Sequence, residues 1–177
     1  MNAAAHVNWL NEMEPRACAD AFRLCCGSDA WVRSMVAARP FVNRNDLLQK
    51  SDHIWQSLQR ADWLQAFAAH PQIGSRAAQG WAAGEQAGAR DADSSVFTRL
   101  SVLNREYESR FGYIFIVCAT GKSAAEMLAL IESRLENEPG TELHVAAEEQ
   151  RKITRLRLEK LLTERPQQGA HTQRPGA

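Results

Sequence analysis

Three side chains in this sequence have types and settings from which chemistry could be built: His70, Glu85 and Arg157. An imidazole changes charge near neutral pH and can take or give a proton. A carboxylate can orient that imidazole, and a guanidinium can grip an anion through two parallel hydrogen bonds. His70 precedes Pro71, which disfavours helical geometry at the residue before it, so the imidazole is expected at a helix end, aimed out of the regular ladder. Glu85 lies with Gln86 in the stretch AHPQIGSRAAQGWAAGEQAGA (69–89), where Ile73 and Trp81 stand out among small residues. A helix meant only to bury surface would carry Leu and Ile there. Arg157 belongs to a helical pattern. At 100° per residue Leu143, Ala146, Ala147, Ile153, Leu161 and Leu162 share one face with Arg157 in its middle, while Lys152, Arg155 and Glu159 lie opposite. A guanidinium in a core stripe must find a carboxylate, backbone carbonyls or an anionic ligand.

Each of the three also has a plainer reading. His70 could bond nearby backbone at its helix end, Glu85 could be a solvated helix carboxylate, and Arg157 a structural arginine bonded to Glu or to carbonyls. No Ser-His-Asp order, P-loop or dinucleotide-binding fingerprint is present. His6, His53 and His144 have no ligand spacing with His70, and the cysteines at 18, 25, 26 and 118 form no zinc pattern, so no metal is expected. Adjacent Cys25 and Cys26 rarely bond to each other. Buried free thiols in a reducing, cytoplasmic compartment are the expectation.

Lys+Arg and Asp+Glu balance at 21 each with no basic stripe, which argues against nucleic acid or an anionic membrane as partner. The apolar run YIFIVCA (113–119) is too short to span a bilayer. The first residues have neither the basic nor the apolar region of a signal peptide, and the last carry no peroxisomal or lipidation signal.

Helices must position the candidate residues. At 177 residues the chain suits one domain with a sizeable core. Residues 7–10 make a short apolar start, Pro15 opens a helix over 15–26, and Gly27 stops it. Asp29 is the expected cap of a helix over 30–38, which Pro40 ends. Asn45 or Asp46 starts the next, through 58, with Leu47, Leu48, Ile54, Trp55 and Leu58 facing inward. Helices follow over 61–69 and 91–110, with a weaker one over 82–87. The segment 113–119 has strand chemistry but no partner strand, and reads as an extended, buried connector. Ser123 and Glu126 form a capping box for a helix whose core face is Met127, Leu128, Ile131 and Leu135. Pro139-Gly140-Thr141 separates it from a last helix over 142–162. The whole reads as an all-α single-domain helical bundle over 1–163. A polar C-terminal tail, 164–177, with His171, is expected to be disordered.

Four stretches together resemble one family: FRLCCGSDAWVRSMVAARPF (22–41), HPQIG with GEQAG (70–74 and 84–88), RFGYIFIVCATGKS (110–123) and KITRLRLEKL (152–161). The family is 2-oxo-4-hydroxy-4-carboxy-5-ureidoimidazoline (OHCU) decarboxylase, of the urate-to-allantoin pathway, and the resemblance covers roughly residues 5–163. It implies an all-helical carboxy-lyase that forms homodimers and works without cofactor or metal. The family's catalytic histidine precedes a proline, matching His70-Pro71, and its glutamate precedes a glutamine, matching Glu85-Gln86. Its substrate-binding residues map onto Pro71, Ala82, Ala83, Gly84, Glu85, Gln86, Phe115, Ile116, Val117, Cys118, Ala119 and Arg157. Many members carry Ser where this chain has Ala82, and the segment between His70 and Glu85 is short for the family.

The implied substrate is a small anionic ring bearing a carboxylate and a hydroxyl on one carbon. On loss of CO₂ the ring's own C=N accepts the electron pair, so no cofactor motif is needed. His70 would move the proton, Glu85 orient it or hold the substrate, and Arg157 position the anion. The backbone of an extended 115–119 segment would read the ring's amide edges, because an extended chain leaves those groups free. The competing reading is a non-catalytic ligand-binding or regulatory protein on the same helical scaffold.

Overall fold

The structure is a computed structural model that describes residues 7–73 and 94–164. Among these residues there are eight helices and no β-strand: α1 (Asn8–Glu12), α2 (Pro15–Arg23), α3 (Asp29–Ala37), α4 (Arg44–Ser57), α5 (Arg60–Ala68), α6 (Ser94–Phe111), α7 (Ala124–Leu135) and α8 (Pro139–Glu164). The all-α expectation holds. The expected helix over 82–87, the small-residue stretch from 74 to 89 with Glu85, and the tail beyond Glu164 lie outside the described residues.

The helix starts follow from capping chemistry. Pro15 opens α2 at a position where its missing N–H costs nothing. The cap of α3 is Ser28, whose Oγ accepts from the Trp31 amide at 3.3 Å; Asp29, expected as the cap, is the first helical residue instead. Likewise α4 begins at Arg44, capped by Asn43 Oδ1 accepting from the Asp46 amide, one residue ahead of the expected start. In both places more than one nearby residue had a capping side chain, and one in extended conformation took the role. Gln59 and Asp62 box the start of α5, and Ser123 and Glu126 that of α7 as expected. The last helix starts at Pro139, ahead of the expected 142. Proline is preorganised for a first turn, so it opens this helix where it had been read as a separator.

All eight helices contribute buried side chains to one core. α6 packs on α7, α2 on α3, α3 on α4 and α5, and α8 on α4 and α5. At the N-terminal end Arg39 Nη1 donates to the Leu10 and Met13 carbonyls at 3.0 and 2.6 Å. Asn11 exchanges two 2.8 Å hydrogen bonds with the Phe41 backbone. These contacts satisfy backbone groups left over at the end of α1 and beyond α3. The four cysteines are buried and none is in a disulfide.

The 113–119 segment is the extended buried connector the sequence suggested. Gly112 and Gly121 flank it with φ near +80°, a region that costs other residues strain. Between them every residue from Tyr113 to Ala119 except the half-buried Ile114 is buried.

The core face of α8 corrects one expectation. Its buried residues are Glu142, Ala146, Ala147, Gln150, Ile153, Thr154, Leu158, Leu161 and Leu162, while Arg157 is half-buried on the flank. The stripe missed Glu142, Gln150, Thr154 and Leu158; at 100° per residue these leave its centre in place, and Arg157 lies about 40° to one side of that centre with its side chain half-buried. A core arginine does exist, on α7. Arg134 is 6% exposed and lies three residues after Ile131 and seven after Met127.

Candidate active site

A small, partly open cleft lies where three elements meet. The end of α5 supplies His70, Pro71 and Ile73; the extended segment supplies Phe115, Ile116, Val117, Ala119 and Thr120; α8 supplies Ile153 and Leu156. Six of the residues expected at the site, His70, Pro71, Phe115, Ile116, Val117 and Ala119, thus face one space. Cys118 is buried beside it, and Arg157 lies one turn beyond Ile153, near enough to Cys26 for its charge to act on that thiol. Ala82, Ala83, Gly84, Glu85 and Gln86 lie outside the described residues.

His70 stands where α5 gives out. Its amide donates to the Phe67 carbonyl at 3.1 Å, a tightened last turn, and Pro71 then forbids another. The strap that follows is tied to α6: Gln72 Nε2 donates to Glu108 Oε2 at 3.0 Å and Asn104 Nδ2 to the Ile73 carbonyl at 3.4 Å. The imidazole, half-buried, is therefore carried on a short anchored strap at the cleft.

The opposite wall is held by side chains, with no neighbouring strand among the described residues to pair with it. Arg134 Nη1 donates to the Ile116 carbonyl at 2.7 Å, and its guanidinium lies 4.6 Å from the centre of the Phe115 ring. Glu149 Oε2 accepts from the Cys118 amide at 2.8 Å. Lys122 Nζ donates to the Cys118 carbonyl at 2.7 Å, and the Lys122 amide to the Ala119 carbonyl at 2.9 Å. The expectation that an extended chain leaves its backbone free therefore holds only in part. Among the described residues the N–H groups of Ile116, Val117 and Ala119 and the carbonyls of Phe115 and Val117 have no protein partner, and these are the groups left to read a ligand's edges.

Behind the wall lies a buried polar cluster. Arg134 pairs with Glu142 at 2.6 Å, the Tyr107 hydroxyl donates to Glu142, and Asn137 Nδ2 donates to the second Glu142 oxygen at 2.6 Å. Burial, helped by the Glu142 charge, pushes the Tyr107 hydroxyl well above the usual phenol range, so it stays a donor. Tyr113 is shifted the same way, mainly by burial. Sequence reasoning missed this cluster, and with it Ile73, Thr120, Ile153 and Leu156 as cleft residues. Among the described residues no three His, Cys, Asp or Glu side chains converge as a metal site.

The comparisons with known proteins bear on the same stretches. The sequence profile of the family described as OHCU decarboxylase matches residues 11–159. The chain is 36% identical over 154 residues to the uric acid degradation bifunctional protein TTL of Arabidopsis thaliana, covering 82% of this chain and 48% of that protein. It therefore spans about half the length of that relative. It is 34% identical over 133 residues to 2-oxo-4-hydroxy-4-carboxy-5-ureidoimidazoline decarboxylase of Amia calva, covering 71% of this chain and 76% of the other. A crystal structure of OHCU decarboxylase in the presence of (S)-allantoin matches with TM-score 0.75 at 38% identity, over 82% of this chain and 99% of that one. That of (S)-allantoin synthase, at 19% identity, shares the fold with TM-score 0.67 over 87% of this chain and 53% of the other. With the profile spanning most of the chain and a relative of this identity covered over three quarters of its length, the chain belongs to the OHCU decarboxylase family.

Proposed function

We propose that this chain decarboxylates 2-oxo-4-hydroxy-4-carboxy-5-ureidoimidazoline to (S)-allantoin in urate breakdown. The observation that carries the reading is the cleft itself: one imidazole, His70, opens onto a wall of extended backbone whose remaining N–H and C=O groups suit the amide edges of a flat ring. In the reaction the bond from the hydroxyl-bearing carbon to CO₂ breaks and its electron pair moves into the adjacent ring C=N, giving an enol-like intermediate. A proton then reaches one face of the neighbouring carbon. His70 is the group with the right protonation range to deliver it. Arg157 positions the anion from the flank of α8, and Glu85 orients the imidazole or holds the substrate hydroxyl.

Generating OHCU in situ from urate and following the chiral signal of (S)-allantoin tests this. Wild type is expected to accelerate the signal, and His70→Ala to lose about 100-fold or more. A variant as fast as wild type would remove His70 from the chemistry. A wild-type chain that binds allantoin without accelerating its formation would return the ligand-binding reading. The same proposal includes a homodimer in the cytoplasm. A light-scattering mass of two chains is expected, and a monomer mass would overturn that part. No helix among the described residues is long and apolar enough to cross a membrane.

A further inference from the structure

We propose that Arg134, on the far side of the wall from the cleft, is a positioning residue for the reaction: it fixes where Phe115 and Ile116 stand against the substrate. The inference rests on the reading of the cleft as the decarboxylation site. Arg134 reaches two wall residues at once, donating to the Ile116 carbonyl at 2.7 Å and lying 4.6 Å over the Phe115 ring. Both wall residues line the cleft.

The guanidinium is itself held from two helices, and one of its partners is held in turn. Its Nε donates to Glu142 Oε1 of α8 at 2.8 Å, and its Nη2 lies 3.3 Å from the Tyr107 hydroxyl of α6. Asn137, from the turn between α7 and α8, holds the other Glu142 oxygen at 2.6 Å. Arg134 therefore transmits the relative placement of three helices to a segment that has no strand neighbour among the described residues to set its register.

Stability alone does not account for such a group. A buried ion pair roughly balances its desolvation cost, and an apolar replacement of equal volume would hold the helices as well. An apolar side chain could not donate to the Ile116 carbonyl, and the wall would lose that fixed point. Lysine would not serve either. It has no planar fork, so it cannot stack on Phe115 while bonding both Glu142 and Ile116.

The test is Arg134→Lys, with Tyr107→Phe beside it, in the in situ OHCU assay with kcat and KM resolved and thermal unfolding measured on the same samples. Tyr107→Phe keeps the ring against Phe115 and removes the hydroxyl between Arg134 and Glu142. The expected result for folded Arg134→Lys is a loss of about 10–100-fold in kcat/KM, with KM raised. Tyr107→Phe should shift KM in the same direction by less. A merely structural residue would lower the folded fraction and the apparent kcat while leaving KM unchanged, and that outcome overturns the proposal. So does folded Arg134→Lys with both constants within about twofold of wild type. If Arg134→Lys does not fold, an unchanged KM in Tyr107→Phe overturns it. Wild type in the same assay separates the two readings. Its failure to turn over OHCU sinks the decarboxylase reading itself, whereas wild-type turnover with unmoved KM in the variants sinks this one alone.

Discussion

Glu149 and Cys118 are joined by a 2.8 Å hydrogen bond from the Cys118 amide to the Glu149 carboxylate, and the Cys118 carbonyl is taken up on its other side by Lys122. The buried Cys118 at the edge of the cleft is thus held through both of its backbone polar groups, in two successive peptide units. Glu149 lies one turn before Ile153, which lines that cleft, so the same helix both holds and faces the wall.

Removing that grip should be measurable as stability. Glu149→Ala leaves a buried amide without its acceptor and is expected to cost about 1–3 kcal/mol in denaturant unfolding, with faster hydrogen exchange at the Cys118 amide. Glu149→Gln keeps an acceptor and should cost less. Lys152, paired with Glu149 at 2.6 Å but about half exposed, should matter little: Lys152→Ala is expected within about 0.5 kcal/mol of wild type. Equal losses for Glu149→Ala and Lys152→Ala would show that the ion pair, and not the amide bond, is what Glu149 contributes.

Arg157 separates binding from folding. It is half-buried, so Arg157→Gln should leave the melting transition nearly in place. Loss of charge-assisted hydrogen bonds to a bound anion, about 1.5–3 kcal/mol, should raise KM by about tenfold or more. An unchanged KM would detach this arginine from the substrate.

Cys26 predicts a pH dependence. Burial pushes its thiol from 9.0 up to about 11, although Ser28, Thr154 and Arg157 pull the other way. The folded state therefore keeps the proton where the unfolded chain releases it. The stabilisation is complete below pH 9 and declines as the pH rises toward 11, by about 2–3 kcal/mol. Cys26→Ala removes this dependence along with some packing. The stability difference between wild type and variant, from urea unfolding at several pH values, should shrink by that amount across the window. A constant difference would contradict the burial account.

Much of this was legible in the sequence because local chemistry decides it. The Ser123–Glu126 box, the helix stop before Pro71 and the unpaired 113–119 segment each depend on residues a few positions apart. The starts of α3, α4 and α8 were displaced by one to three residues: Ser28 and Asp29 both offer a cap at α3, Asn43 caps α4 by holding the Asp46 amide, and Pro139 opens the first turn of α8. What the sequence hid was long-range. Arg134 reads as an ordinary last-turn cation until Glu142, Tyr107 and Ile116 are seen around it. Arg157 reads as buried because helical spacing places it on the core face, and only the packing around it shows the side chain half-buried. Polar residues of a core betray themselves by their partners, and partners are tertiary facts.

α8 carries Glu142, Glu149, Ile153, Leu156 and Arg157 on one uninterrupted rod, about 22 Å from first to last. Along it, distance is counted in residues and direction in steps of 100°. One added or deleted residue between Glu149 and Ile153 would leave the Glu142 cluster seated and swing everything after it a quarter-turn or more around the axis. The spacing within 142–157 thus sets the register between the Glu142 cluster and the cleft, and a change of length there would uncouple what a substitution leaves aligned.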